Sequence, residues 1–214
     1  MRAHTETVLL LLLLAGSAPV PGAVRAQEIT ASAGVGHSGF ESLGHPSVVS
    51  LEVALPLVSS LRLTGRWRRV DGGRRFDGTT CDAYWPIFEA CREEAIETDA
   101  DLDQWQVGLR VGLPATGRVR LHLGVARVRS RLRGSSRGVE TGRSAGDYLP
   151  GEAVWHTALS LGVRTEPLAS GLLQAGLRLQ SQPLDLRGCA TDVGTPFCGS
   201  ERLTTLEATL TLVR

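Results

Sequence analysis

The chain has 214 residues and a formal net charge of +1, from 23 basic and 22 acidic side chains. Near neutrality lacks the electrostatic footprint that phosphate backbones demand, so no nucleic-acid partner is expected. After the first 26 residues no run approaches eighteen consecutive apolar residues, which excludes a membrane-spanning helix there.

The N-terminus reads as an export leader. Arg2 precedes an apolar run from Val8 to Leu14, Pro19 and Pro21 break it, and Val24-Arg25-Ala26 offers a peptidase site. Cleavage after Ala26 is expected, dividing the chain into a signal peptide, 1–26, and a mature domain, 27–214. The apolar run falls short of the ~20 residues a spanning anchor needs.

Through the mature chain, apolar residues recur at every second position in eight runs: 28–40, 48–57, 61–71, 103–113, 118–133, 153–165, 171–183 and 202–213. That period predicts strands with one apolar and one polar face. Helical spacing has one candidate, Pro86 to Glu97, inside a connector. Short connectors at 56–60, 114–117 and 166–170 alternate with longer ones at 41–47, 72–102, 134–152 and 184–201. In an up-and-down meander all the short ones fall at one end, as in outer-membrane barrels.

The two rows of side chains say which face meets lipid. One row is apolar and free of charge, for example Leu51-x-Val53-x-Leu55 and Trp105-x-Val107-x-Leu109-x-Val111-x-Leu113. Lipid demands this, since an arginine at the bilayer midplane costs roughly 2–4 kcal/mol. The other row mixes glycine with Glu52, Arg62, Arg66, Arg68, Arg110, Arg120, His122, His156, Arg164, Arg178 and Glu207. Eight strands enclose a lumen barely wide enough for side chains, which long arginines facing glycines would fill. The seven arginines of this row face two glutamates, with Glu93, Glu94, Asp99 or Asp101 as candidates to reach in from the loops. Trp67, Trp105 and Trp155 share the apolar parity at the loop-side end of their strands, as an interfacial aromatic girdle would. A soluble ligand-binding barrel would need the rows reversed.

The leader, the eight-strand meander and the alternating closing strand Leu206 to Val213 resemble the small outer-membrane β-barrels of the OmpX and OmpA-transmembrane type. Arg214 stands where that family ordinarily ends on an aromatic residue. The fold expected is an all-β, eight-stranded antiparallel up-and-down transmembrane β-barrel with short periplasmic turns and long external loops. The resemblance implies the outer membrane of a Gram-negative-type bacterium, with membrane lipid, lipopolysaccharide and the barrel-assembly machinery as partners.

Cys81 and Cys91 lie in the first long connector and Cys189 and Cys198 in the last. In an exported chain they are expected to pair as structural disulfides, in neighbouring or cross-loop connectivity. Neither a CxxC spacing nor a loop histidine suggests zinc, and no cofactor is expected. Arg69, Arg127 and Arg129 continue the lipid-facing parity past the apolar band, where guanidinium suits lipopolysaccharide phosphate. The acidic run Glu93 to Asp101 reads as a solvated face. His156 and Ser160 share the lumen parity, but no acidic residue on their strand completes a hydrolytic set. The expected role is a non-enzymatic envelope structural or surface-interaction protein with disulfide-tied external loops. A lipid A-modifying hydrolase, whose expression would shift lipopolysaccharide mass, and a narrow anion-preferring pore are the alternatives.

Overall fold

The computed structural model describes residues 27–39, 43–82, 90–113, 119–142, 144–148, 153–167, 172–186 and 199–213. The expected leader, Cys189 and Cys198 lie outside these residues. The described strands are β1 (Glu28–Ser38), β2 (Ser47–Pro56), β3 (Leu61–Asp82), β4 (Ala90–Leu113), β5 (Val119–Gly138), β6 (Ser144–Tyr148), β7 (Val154–Thr165), β8 (Leu173–Leu186) and β9 (Gly199–Val213). All pairings are antiparallel, and β1 pairs with β9 from Glu28↔Val213 to Ser38↔Leu203. Eight strands therefore form a closed ring in the order β1-β2-β3-β4-β5-β7-β8-β9. Short β6 lies outside the ring, paired to the far end of β5.

The alternation in the sequence produces this wall directly. In β7 the burial pattern alternates residue by residue, with Leu159, Leu161 and Val163 exposed on the outside and His156, Ala158, Gly162 and Arg164 buried within. Close approach of neighbouring backbone explains why glycine recurs on the inner row. A Cβ on Gly34 would overlap the Leu206 carbonyl of β9, and one on Gly162 would overlap the His122 imidazole. Between β2 and β3 the turn closes by Leu57 N–H donating to the Leu61 carbonyl at 2.9 Å.

The long connector expected over 72–102 is mostly strand. β3 and β4 pair without a break from Leu61↔Val111 to Asp82↔Ala90, so only 83–89 separate them. The helix expected from Pro86 to Glu97 is corrected accordingly: residues 90–97 are strand, each paired across to 75–82. The pairing with β3, joined at Ile96 and Glu97 by pairing with β5, satisfies the backbone of this segment within the sheet.

The extension differs from the wall below it in polarity. Val48, Val70, Leu102 and Leu132 are successive register partners across β2, β3, β4 and β5. All four point inward and are buried, together with Leu43, Ala100, Leu184 and Leu203. On the outside at this height stand Arg69, Asp71, Asp101, Asp103, Arg131 and Arg133, with Asp103↔Arg131 and Asp101↔Arg133 facing each other across β4 and β5. Just above the Trp67–Trp105 rung, β3, β4 and β5 carry charge on the outside and the Val70, Leu102 and Leu132 layer inside; below it, their polarity is reversed. Leu102, fully buried in this plug, tests the packing. Leu102→Ala is expected to cost about 2–5 kcal/mol, read as a lowered urea midpoint of the folded barrel. An unshifted midpoint would mean that the loop end is not packed.

Candidate functional site

The lumen beneath the plug is held by cross-braces between strands that are not neighbours. Glu28 of β1 takes Arg62 at 2.6 Å and Arg164 at 2.6 Å, and also pairs with Arg110. Glu52 of β2 pairs with Arg110, with Arg178 at 2.8 Å and with Arg164 at 3.9 Å. Glu207 of β9 accepts from Arg66, lies 3.4 Å from Arg68, and receives the Ser32 hydroxyl at 2.7 Å. These carboxylates are almost wholly buried, and an ion pair at such a place is tolerable only because each charge is met.

A neutral layer separates the charges from the apolar plug. Arg68 Nη1 donates to Gln104 Oε1 at 2.9 Å, and Gln104 Nε2 donates to the Ser130 hydroxyl at 2.9 Å. Gln180 Nε2 continues it by donating to Gln182 Oε1 at 3.1 Å. The lumen thus grades from ionic to amide to hydrocarbon over a few residues of each strand.

Of the residues assigned to the lumen from sequence, Glu52, Arg66, Arg68, Arg110, His122, His156, Arg164, Arg178 and Glu207 are buried inside. Arg62 is part-exposed, and Arg120, at the turn-side start of β5, is exposed instead of joining them. The residue missed was Glu28, which gathers three guanidiniums. Its signal was parity: it shares the row of Thr30, Ser32 and Gly34. The loop carboxylates expected to reach inward do other work. Glu94 is buried but accepts from Glu140 N–H at 3.0 Å, Thr141 N–H at 3.1 Å and the Thr141 hydroxyl at 2.7 Å, capping the turn after β5. Glu93 and Asp99 are exposed, and Asp101 lies on the outer face. The acidic run is therefore not one solvated face; alternation within β4 splits it.

On the outside, Leu51, Trp67, Trp105, Arg129 and Trp155 are successive register partners across five strands. The three tryptophans therefore lie on one rung, with Arg129 between Trp105 and Trp155. Arg127, two residues nearer the turn end, is exposed and donates to the Thr157 hydroxyl at 3.3 Å. Arg69 is committed elsewhere: Asp71 holds it at 2.8 Å and Asp101 lies at 3.8 Å. Partial burial pushes the Asp101 carboxyl above its ordinary value, against the pull of Arg69. From Trp105 to Leu113 the outward apolar run of β4 covers nine residues, close to the ~9–11 that a tilted strand needs to cross a bilayer. Cys81 and Cys91 are direct partners across β3 and β4.

A closed ring of eight antiparallel strands, apolar on its outer wall and packed with charge inside, is the fold of the small outer-membrane β-barrels. Neisserial surface protein A superposes with a TM-score of 0.55 at 13% identity, over 87% of this chain and 97% of its own. Ail of Yersinia pestis matches at a TM-score of 0.47 and 10% identity, over 89% and 99%. The N-terminal barrel of Pseudomonas aeruginosa OprF matches at 0.43 and 9%, over 87% and 97%. No protein-family model and no curated sequence matches the chain.

Proposed function

We propose that the chain is a closed, non-enzymatic outer-membrane barrel that raises a rigid β-extension and its loops above the surface of a Gram-negative-type cell. The observation that carries this is the reversal of polarity within single strands at the tryptophan rung. An outer wall that is apolar below the rung and charged above it suits a barrel that leaves hydrocarbon and continues into water. The plug of Val48, Val70, Leu102 and Leu132 across the loop end argues against a pore. Each lumen carboxylate is occupied by two or three guanidiniums, which favours a structural over a hydrolytic use. The role is surface interaction, in keeping with the "surface protein" designation of the Neisserial barrel.

In this reading the leader 1–26 is removed on export, and the barrel-assembly machinery inserts the mature domain. Trp67, Trp105 and Trp155 sit at the outer interface, and Arg127 and Arg129 beside them face lipopolysaccharide phosphates. Arg69 braces the acidic rim and contributes less. Cys81 and Cys91 form one disulfide, Cys189 and Cys198 a second. Directly opposed residues of an antiparallel pair lie ~4.5–5.5 Å apart at Cα, within disulfide reach. Non-reduced digests are expected to yield a peptide linking Cys81 to Cys91; a Cys81–Cys189 peptide would reject that pairing.

The central test is electrical. The mature barrel reconstituted in planar lipid bilayers is expected to give no discrete conductance steps. Stable single-channel currents would overturn the closed-barrel reading.

A further inference from the structure

Charge within the lumen does not balance. Among the described residues, Arg62, Arg66, Arg68, Arg110, Arg164 and Arg178 are braced by three carboxylates, Glu28, Glu52 and Glu207. Only Arg62 of the six is part-exposed. Guanidinium does not shed its proton in proteins, so the excess cannot be relieved by deprotonation. A buried charge without a counter-charge costs several kcal/mol.

The unused donors cluster. The Nη2 of Arg178 and the Nε2 of Gln106 lack a hydrogen-bond partner, although Arg178 and Gln106 are 2% and 5% exposed, while Nη1 of Arg178 lies 2.8 Å from Glu52. Arg178 and Gln106 line one cavity of about 20 Å³ together with Arg66, Gly124 and Ser160. Glu52 and Arg110 also reach its wall, but that carboxylate is shared among Arg110, Arg164 and Arg178. One water requires ~10–15 Å³, so the space admits a single small particle and excludes phosphate or an organic acid. Water would satisfy the N–H groups and leave the charge uncorrected. A halide answers both, and the apolar plug above would retain it.

We propose that the lumen binds one small inorganic anion of chloride size, held by Arg178, Gln106 and Arg66 as a built-in counter-ion. This makes it an occluded site, distinct from an anion-conducting path.

The test uses the full mature barrel, folded in detergent and crystallised in bromide, with anomalous scattering recorded at the bromine edge. One bromide peak within contact of Arg178 and Gln106 is expected. Arg178→Gln should abolish it, and Gln106→Met, which removes a donor without altering charge and so spares the fold if Arg178→Gln does not, should weaken it. A lumen without bromide density, or bromide confined to the outer surface, overturns the proposal, as does a peak unchanged in Gln106→Met. The conductance test is separate: a silent barrel can fail this one, and a conducting barrel can pass it.

Discussion

Replacing Glu52 by glutamine is expected to destabilise the folded barrel by about 3–5 kcal/mol, the cost of leaving buried charges unmatched. Glutamine keeps the shape and an acceptor oxygen, so packing changes little and the loss isolates the charge. Glu52 braces β2 against Arg110 of β4 and Arg178 of β8, and Arg164 of β7 lies 3.9 Å away. Its removal therefore strands several guanidiniums in a space that excludes bulk water. Urea unfolding in lipid vesicles, followed by the gel shift between folded and unfolded forms, measures the effect. A variant as stable as the parent would show the lumen to be wet enough to screen its own arginines. Arginine substitutions should follow a different pattern, because removing one of six reduces the surplus while weakening a brace.

The second large effect concerns the outer wall. Leu109 is 41% exposed and stands midway along the outward run from Trp105 to Leu113. Leu109→Arg should cost roughly 2–4 kcal/mol in a bilayer, as arginine does near the midplane of other barrels. Asp99→Arg, also outward but above the tryptophan rung, should stay within about 0.5 kcal/mol. Both variants are read by the same vesicle titration. Equal, small costs at the two positions would place hydrocarbon somewhere other than the Leu109 rung.

The turn-side half of the molecule was legible in the amino-acid order. The start of β1 at Glu28, of β3 at Leu61 and the end of β4 at Leu113 coincide with the expected runs, because period-two alternation there has one unbroken phase. The loop-side half was not. In β4 the outward apolar residues occupy odd numbers from Trp105 to Leu113, whereas Ile96, Ala100 and Leu102 are apolar at even numbers and point inward. The strand continues while its hydrophobic phase inverts, and a phase inversion in sequence looks like the end of an element. Within the lumen row, parity gives the face of a strand and cannot say how far along the axis a side chain lies. Arg120 fell at the open mouth for that reason. Glu28 lies in the same row, at the first position of the first strand, where no preceding alternation marks its face.

The placement of Glu28 bears on the order of assembly. It belongs to the first strand, yet its three arginines come from β3, β4 and β7, and β1 itself zips to β9 at the opposite end of the chain. A sheet open at that seam keeps β1 on β2 and leaves Glu28 at a free edge, apart from Arg164 of β7. Joining the first strand to the last therefore completes an ionic tie across the lumen as well as the backbone ladder, and the two chain ends share one fastening.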